Sequence, residues 1–306
     1  MREQLVRLKN TNPFLLYLWS KNQQRKGKIS LAKLSDKDAI LKLYQDYCGK
    51  IPNLENPTSF SEKLQWLKLN YQNPLQTIGA DKFLVREYLI NKGYESILSK
   101  VILVAERIEE LNINNLPEKF VIKATHGSGW NLICTDKKKV NWFWWRKIMN
   151  IWLHNNIFWP GREWPYKNMK PRLIVEEFMT DKSGLLMDYK FFCFNGKAKF
   201  VQANKGRDTF HHAQNFYDLN WQILPFGKDL KPRPDISIDA PICLNQMIEI
   251  AENLAFEFPF VRVDFYEVNG KVIFGELTFY PKSGLPDFNP PEYDEILGTY
   301  FNIPNS

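Results

Sequence analysis

The feature that most constrains the fold is a pair of alternating apolar and polar segments near the C-terminus, at 260–267 and 271–279. Val268-Asn269-Gly270 between them is a strong turn signal, so a β-hairpin is predicted. Successive side chains of a strand point to opposite faces, and one face of this hairpin is wholly apolar. That face is expected to lie on the core and consists of Val261, Val263, Phe265, Ile273, Gly275, Leu277 and Phe279. The opposite face collects Arg262, Asp264, Glu276 and Thr278.

The register of the hairpin decides whether its two acids, Asp264 and Glu276, meet. A two-residue loop would pair Asp264 with Gly275 and place Glu276 on the wrong face. A three-residue loop with Gly270 in the left-handed conformation would pair Arg262 with Glu276 and leave the two acids diagonal, at roughly 7–8 Å between backbones. Two carboxylates at that spacing suit Mg²⁺, which takes oxygen ligands together with waters and phosphates. A magnesium site therefore requires the longer loop. The alternative is an exposed sheet face with one ion pair of little energetic weight.

A second candidate site is a lysine in an apolar strand that runs into a glycine-containing loop. The strand is Phe120–Thr125 with Lys123 inside it, and the loop carries Gly127, Ser128 and Gly129. Burying an unpaired ammonium is costly, so the lysine is expected to have an anionic partner. Glycines allow backbone N–H groups to approach a phosphate closely. The spacings of a Walker loop and of a dinucleotide-binding loop are absent. The loop is thus either a phosphate cover or a simple hairpin turn.

A third candidate site is the strand Leu173–Met179, in which Glu176 and Glu177 lie among apolar residues. Its main-chain groups are suited to form hydrogen bonds with the edge of an adenine, and a nearby carboxylate is suited to bind ribose hydroxyls. An edge strand with solvated glutamates is the alternative.

Composition and charge narrow the class of partner. The chain of 306 residues is 44% apolar and 25% charged, as in ordinary globular proteins, and has a net charge of +7. A positive surface favours a polyanion such as nucleotide phosphates, a uronic-acid polymer or an anionic membrane face. The sequence has no zinc-finger spacing, no basic block followed by heptads and no RNA-recognition strand, so nucleic acid is not an expected partner. The four cysteines lie far apart without a C-x-x-C pair, which argues against disulfides or zinc and indicates a cytoplasmic protein.

The N-terminal segment is basic and aromatic. The first 28 residues contain seven Lys or Arg residues among leucines and aromatic residues. Its longest apolar run, Phe14–Trp19, has six residues and is too short to span a bilayer or to form the core of a signal peptide. The segment is expected to be a helix packed on the body of the protein. The alternative is a peripheral contact with the inner face of the membrane.

The order of the predicted elements divides the chain into three parts. Helical patterns, beginning at 36–50, prevail in an N-terminal region assigned to 1–110. From Pro117 onwards short β-runs with occasional helices prevail, which indicates an α+β fold with mainly antiparallel sheets. Ser183-Gly184 is a linker signal, and it divides the remainder into subdomains at 111–185 and 186–306.

Tryptophans are concentrated at 142–166. Its first part has Trp142, Trp145, Met149 and Trp152 at the spacing of one helical face, which predicts core packing. Its last part, around Arg162, Trp164 and Tyr166, is less periodic and is interpreted as a lid or a sugar platform beside the nucleotide.

Taken in order, these segments resemble an ATP-grasp enzyme. The resemblance rests on Asp81-Lys82, the strand lysine before the glycine hairpin, the E-E-hydrophobic strand, and the late R-x-D and E-x-x segments. More closely, the chain resembles the TupA-like branch, associated with teichuronopeptide and capsular-polysaccharide biosynthesis. The matching stretches cover most of 57–306 and include PTSFSEKLQWLK, ADKFLVREYL, FVIKATHGSGWN, GREWPYKN, DYKFFCFNGK, NFYDLNW, FPFVRVDFY and FGELTF.

The resemblance implies the ATP-grasp fold, in which two α+β subdomains with mainly antiparallel sheets grip ATP. It also implies a role for each matching residue. Lys82 and Lys123 contact the ATP phosphates, and the loop of Gly127, Ser128 and Gly129 closes over them. Glu176, Glu177, Phe178 and Met179 line the adenine and ribose site, and Lys190 belongs to the nucleotide site. Asp264 and Glu276 hold Mg²⁺, and Arg262 stabilises a tetrahedral oxyanion. Arg207 is suggested as a contact of the γ-phosphate or the acyl acceptor, with a surface arginine as the alternative. The last metal ligand of the family is usually Asn, and here that position is Thr278.

The function implied is ATP-dependent joining of a carboxylate to an amine through an acylphosphate. The carboxylate would belong to a uronic acid or polysaccharide precursor, and the amine to an amino acid or another amine. An ATP-dependent phosphotransferase acting on a glycan hydroxyl is the first alternative. A glycosyltransferase is weakened because the D-x-D segment Asp36-Lys37-Asp38 falls in a predicted helix cap. A non-catalytic sugar-binding module is the last alternative.

Overall fold

A computed structural model describes residues 12–30, 33–181, 186–205, 213–228 and 232–304. It confirms the predicted α+β class, because a helical N-terminal part precedes sheets in which the strand pairings are antiparallel. The N-terminal helices are α1 Pro13–Ser30, α2 Asp36–Cys48, α3 Phe60–Asn70, α4 Pro74–Ala80 and α5 Leu84–Asn91.

Local capping signals place two of these helices. The hydroxyl of Ser35 accepts the backbone N–H of Asp38, so the D-x-D segment does lie in the first turn of α2. Ser59 and Glu62 form a reciprocal capping box at the start of α3. In α1, the rings of Phe14 and Tyr17 lie 4.8 and 5.2 Å from that of Trp144, so the described part of this segment packs on the body as predicted. A membrane contact of the N-terminal residues stays a prediction.

The first sheet has four strands in the order β1-β4-β2-β3. They are β1 Val101–Ala105, β2 Phe120–Ala124, β3 Asn131–Cys134 and β4 Leu173–Glu177. The tryptophan-rich helix α6, Trp142–Leu153, covers one face, and its Met149 and Trp152 are buried as the helical spacing predicted. The strand β1 lies inside the predicted N-terminal region yet pairs with β4, so this sheet begins before residue 111. The predicted boundary near 185 falls at 182–185, outside the described residues.

The second sheet has five strands in the order β10-β9-β5-β6-β7. They are β5 Met187–Phe194, β6 Lys197–Lys205, β7 Ala213–Tyr217, β9 Phe260–Val268 and β10 Lys271–Thr278. A short pairing of β8 Gly227–Lys228 with β11 Phe288–Asn289 forms a third sheet. The remaining helices are α7 Phe158–Gly161, α8 Leu244–Ala255 and α9 Tyr293–Gly298.

The two faces of the second sheet differ. Under α8 one face is wholly apolar, as the buried Phe191, Val263 and Phe265 show. The other face begins as an aromatic cluster around Phe192 and Phe60, which joins the sheet to α3. Further along the strands the same face becomes polar, because strand alternation places Lys190, Asp264 and Arg262 there. The candidate site is therefore built on this polar half.

The hairpin register differs from the one that a metal site was expected to require. Its loop has two residues, Asn269 and Gly270, both with positive φ, and Lys271 pairs with Val268. A bulge at Gly275 then shifts the register, so Glu276 lies directly opposite Asp264. The prediction of a three-residue loop with diagonal acids was wrong, although the acids do meet.

The bulge also changes which side chains of β10 are buried. Before it, Val272 and Phe274 face the core and Ile273 is only partly buried, so the predicted burial of Ile273 was wrong. A Cβ on Gly275 would lie 2.9 Å from the backbone oxygen of Asp264, which explains why glycine stands at the bulge. Among the described residues, no helix is both long and apolar enough to cross a bilayer.

Candidate nucleotide and metal site

Lys82, immediately before α5, connects the two sheets. Its ammonium donates a 2.7 Å hydrogen bond to the carbonyl of Gly127 in the loop between β2 and β3. The same nitrogen lies 3.8 Å from Oε2 of Glu276 in the hairpin. Its backbone N–H donates to the carbonyl of Thr125, which fixes the start of α5 against the glycine loop. The predicted lysine, loop and acid are thus brought together.

Lys123 has the anionic partner that its apolar strand required, and the partner is Glu176. Their charged atoms are 2.6 Å apart, diagonally across the paired strands β2 and β4. Oε1 of Glu176 also accepts a 2.5 Å hydrogen bond from Ser99 and lies 3.4 Å from a guanidinium nitrogen of Arg86. Burial raises the pKa of Glu176, but Lys123, Ser99 and Arg86 outweigh it and bring that pKa below its ordinary value. The sequence did not reveal that Glu176 positions Lys123.

The glycine loop combines a fixed base with an exposed tip. Ser128 and Gly129 are exposed, and Gly129 has a φ of +69°. A Cβ on Gly127 would lie 2.3 Å from the indole of Trp130, so glycine is required where that ring crosses the loop. Nε2 of His126 is 2.8 Å from the carbonyl of Trp152, which ties the base of the loop to α6. This shape is suited to cover a phosphate, a role that stays a prediction.

The end of β4 pairs with Phe120 at the start of β2, so it lies at the opposite end of that strand from the glycine loop. Glu177 is exposed, and Phe178 and Met179 are partly buried where the strand stops. The backbone N–H of Glu177 donates to Lys100, so β1 orders this end of the strand. The prediction that residues 176–179 line the adenine and ribose site stays a prediction. In the structure the carboxylate of Glu176 is bonded to Lys123.

The hairpin supplies the acidic half of the site. Arg262 binds Asp264 through two nitrogens, at 2.7 Å from Nε and 2.8 Å from NH2. The same NH2 lies 3.5 Å from Oε1 of Glu276 and 3.0 Å from Oγ1 of Thr278. Thr278 in turn donates to Oε1 of Glu276 at 3.1 Å. Three oxygens from three residues therefore converge on one positive nitrogen.

Such a set of oxygens fits Mg²⁺. Magnesium commonly takes one or two carboxylates from the protein and completes its shell with waters and phosphate oxygens. The described residues contain no group of three or more His, Cys, Asp or Glu side chains arranged around a metal, so Asp264 and Glu276 would share the ion with a nucleotide. Burial raises the pKa of Glu276, but Lys82, Arg262 and Lys190 outweigh it and lower that pKa to about 2, which keeps the carboxylate ionised.

Lys190 lies opposite Asp264 in the pairing of β5 with β9. Its ammonium is 2.5 Å from Asp264 and 2.9 Å from Asp188, and all three side chains are nearly inaccessible to solvent. Sequence reasoning missed Asp188, although its position two residues before Lys190 puts both on one strand face. Arg86 and Ser99 were missed as well, because neither belongs to a pattern.

Arg207 lies at 206–212, outside the described residues, together with His211 and His212. Its suggested contact with the γ-phosphate or the acyl acceptor stays a prediction.

One family profile matches this chain, and several solved structures are similar to it. A profile described as TupA-like ATPgrasp matches residues 62–302. No curated protein sequence matches the chain. D-alanine–D-alanine ligase from Bacillus anthracis complexed with ATP is a similar solved structure, with 15% identity, 73% of this chain and 65% of that chain covered, and a TM-score of 0.41. The ATP-grasp ligase PsnB complexed with minimal precursor, Mg and ADP has 13% identity, 72% and 57% coverage, and a TM-score of 0.38.

Phosphoribosylamine–glycine ligase from Thermotoga maritima is also similar, with 14% identity, 72% and 55% coverage, and a TM-score of 0.39. The chain spans less than two-thirds of the length of each of these three structures. The profile match covers most of the chain and contains every described residue of the site from Lys82 to Glu276. The chain therefore belongs to the TupA-like ATP-grasp family and has the ATP-grasp fold.

Proposed function

We propose that this protein is an ATP- and Mg²⁺-dependent carboxylate–amine ligase in the biosynthesis of a surface polysaccharide, such as a capsule or a teichuronopeptide-like polymer. It phosphorylates a carboxylate to an acylphosphate, and an amine then attacks the acyl carbon to give an amide. The carboxylate belongs to a uronic acid or polysaccharide precursor, and the amine to an amino acid or another small amine. Family membership and the net charge of +7, which favours an anionic sugar, support this proposal.

The single observation that carries the proposal is the position of Lys82. It lies between the carbonyl of Gly127, at 2.7 Å, and the carboxylate of Glu276, at 3.8 Å. An ammonium at this junction is placed to bind the outer phosphates of a nucleotide covered by the glycine loop. The oxygens of the hairpin lie on its other side, where a metal shared with the same phosphates would be held.

The basic side chains perform the charge neutralisation that phosphoryl transfer requires. Lys123 is held in place by Glu176 and keeps about a quarter of its side chain exposed, so its ammonium can contact a phosphate. Burial lowers the pKa of Lys82, as does Lys123, whereas Glu276 raises it. The effect of Lys123 is a repulsion between two ammonium groups, and a bound polyanion would relieve it.

The hairpin and β5 hold the acidic groups. Asp264 and Glu276 would hold Mg²⁺, which when bound stabilises charge on phosphate oxygens. Arg262 keeps these carboxylates in place, and its guanidinium stabilises the acyl oxyanion in the proposed reaction. Lys190, fixed between Asp188 and Asp264, supplies a further cation beside the phosphates.

The test is a screen of uronic acids against amino acids with Mg·ATP, monitored by ADP release. A ligase releases ADP only when a carboxylate is present and forms an amide when the amine is added. Product analysis by mass spectrometry separates the alternatives, because a phosphotransferase yields a phosphorylated glycan without an amine.

Two results would contradict the proposal. Transfer from a nucleotide-sugar without ATP would support a glycosyltransferase. Glycan binding that is unchanged in Asp264→Asn, without ATP turnover, would support a sugar-binding module.

A further inference from the structure

A second polar cluster lies beside the hairpin, where three separate segments of the chain meet. They are the end of α3, the segment after α7 at 161–166, and the turn at 281–284 that follows β10. The turn begins three residues after Thr278, so it continues directly from the metal hairpin. Apart from the lid or sugar platform predicted around Arg162, Trp164 and Tyr166, none of the roles above involves this cluster.

The turn has an unusual backbone. Lys282, Ser283 and Gly284 have φ values of 52°, 56° and 64°, so three successive residues are left-handed and two of them are not glycine. Each such non-glycine residue costs on the order of 1–2 kcal/mol, and strain of this kind persists only where surrounding contacts impose it.

Two buried side chains of α3 impose this conformation. The ammonium of Lys68 donates to the carbonyl of Ser283 at 2.7 Å and contacts its hydroxyl at 3.1 Å. The side-chain amide of Gln65 donates to the carbonyls of Ser283 and Gly284, at 3.1 and 2.7 Å. Oε1 of the same amide is buried without a hydrogen-bond partner among the described residues, so an acceptor is left over at the cluster.

Glu163 lies against this turn from the other side. A Cβ on Gly161 would lie 2.6 Å from the hydroxyl of Ser283 and 3.1 Å from Oε1 of Glu163, so these two oxygens lie together over that glycine. Burial raises the pKa of Glu163, although Lys68 and the hydroxyl of Ser283 act in the opposite direction. Burial therefore makes this carboxylate a stronger base than an ordinary glutamate.

Tyr166 lies in one short turn with Glu163, because its backbone N–H donates to the carbonyl of Glu163 at 3.1 Å. The turn at 164–166 packs on α4, which also packs on β10 of the hairpin. Burial raises the pKa of Tyr166, and the charges of Glu163 and Glu276 raise it further, whereas Arg262 lowers it. Glu163, Tyr166 and Ser283 each keep part of their surface exposed, whereas Lys68 and Gln65 are buried behind them. The cluster is therefore closed on the side of α3 and partly open at the other three residues.

We propose that Glu163, Ser283 and Tyr166 form the binding site for the amine substrate, in which Glu163 accepts a proton from the incoming ammonium group. The site takes a primary amine of small size, such as that of an amino acid. Lys68 and Gln65 are positioning residues, which act by holding the turn that carries Ser283. This assignment rests on the proposed ligase function and adds the second substrate to it.

The proton balance of the step requires such a group. An amine enters as an ammonium ion and must lose one proton, here to Glu163, before its nitrogen carries a free electron pair. The C–N bond then forms, and the C–O bond to phosphate breaks with its electron pair leaving on inorganic phosphate. The second proton of the nitrogen leaves as the tetrahedral intermediate collapses and is taken up by the phosphate.

The test compares two nucleophiles in the full-length chain. Hydroxylamine is uncharged near neutral pH and traps an acylphosphate as a hydroxamate without a base, whereas an amino acid needs one. With Mg·ATP and glucuronate or a related uronic acid, Glu163→Gln is expected to lose about a hundredfold in amide formation. Hydroxamate formation by the same variant should remain within about threefold of the parent, since the first half-reaction does not use Glu163. The exposed Glu55→Gln serves as the matched control.

A second variant separates binding from folding. Ser283→Gly removes the hydroxymethyl side chain, and the loss of Cβ relieves the left-handed strain. Thermal stability should therefore be equal or higher, while the KM for the amine rises about tenfold. Equal loss of amide and hydroxamate in Glu163→Gln, or an unchanged amine KM in Ser283→Gly, would overturn the amine site and leave the ligase intact. If the parent protein forms no hydroxamate with any uronic acid, the proposed function itself fails.

Discussion

The two larger sheets each bury one face under a helix, but they place opposite charges at the site. On the side of the four-stranded sheet, two cations flank one carboxylate, and these are Lys123, Arg86 and Glu176. On the polar half of the five-stranded sheet, three carboxylates surround two cations, and these are Asp188, Asp264, Glu276, Lys190 and Arg262. One side therefore has an excess of positive charge and the other an excess of negative charge.

This difference explains how one chain can bind a nucleotide and its metal. Excess positive charge attracts phosphate groups, and excess negative charge attracts a divalent cation. Lys82 lies between the two clusters, where its ammonium contacts Gly127 on one side and Glu276 on the other. If the two sides have separate tasks, variants on each side should separate nucleotide binding from its dependence on magnesium.

The largest expected effect is on ATP turnover. Lys123→Ala and Glu276→Gln should each lower turnover by at least about a thousandfold while the fold stays intact, because charge neutralisation is the main contribution of the protein to phosphoryl transfer. The comparison predicts that Lys123→Ala also weakens ADP binding in EDTA, whereas Glu276→Gln does not. Calorimetric titration with and without Mg²⁺ measures this, and the exposed Lys119→Ala is the control. Unchanged ATP consumption in either site variant would contradict the site assignment.

The next effect is on stability. Asp264→Asn removes the buried carboxylate that Lys190 and Arg262 share and should cost about 3–5 kcal/mol in the free energy of unfolding. Glu176→Gln should cost less, because its partner Lys123 is 25% exposed and can turn to solvent. Urea unfolding measures both values. If Glu176→Gln lowers the free energy of unfolding more than Asp264→Asn does, stability does not depend more strongly on the buried charges of the five-stranded sheet.

A pH-dependent effect is expected at Lys68, next to the five-stranded sheet. Burial lowers the pKa of Lys68 to about 8, although Glu163 acts to raise it. In the unfolded chain the pKa of lysine is about 10.4, so the unfolded state binds more protons between about pH 8 and pH 10. The free energy of unfolding should therefore rise with pH in that window, by up to about 3 kcal/mol. Lys68→Met should remove this rise in urea titrations at several pH values. If the free energy of unfolding still rises with pH in Lys68→Met, other titrating groups cause the rise.

The smallest expected effect tests the bulge. Gly275→Ala brings a Cβ to 2.9 Å from the backbone oxygen of Asp264 and should cost about 2 kcal/mol in the free energy of unfolding. It should also lower Mg·ATP turnover, because relief of the clash moves Glu276 away from Asp264. Gly270→Ala, at a position with positive φ and open space, should cost about 1 kcal/mol without changing the turnover. Equal turnover in both variants would show that the bulge does not position the acids.

Much of the fold follows from local patterns. The hairpin was predicted from strict alternation around Asn269-Gly270, and the start of α2 from Ser35, because both signals lie within a few residues. The strand β1 was not predicted, although its sequence is apolar, because its partner β4 lies about 70 residues further along the chain. Its pairing is decided when the sheet assembles.

The sequence by itself determined which residues carry the charges. Alternation put Arg262 and Asp264 on one polar face, and the apolar strand around Lys123 required an anion for it. These conclusions depend on the two-residue period of a strand and on the cost of burying an unpaired charge.

Only the tertiary structure decided how these charges are matched. Glu176 meets Arg86 across 90 residues of sequence, and Lys68 meets Ser283 across 215. The bulge at Gly275, which brings Glu276 opposite Asp264, adds one residue to a strand whose alternation reads equally well in either register. Packing on both faces of the sheet selects that register. No local sequence pattern specifies it, because a shift of one residue exchanges the two faces without changing the composition of either strand.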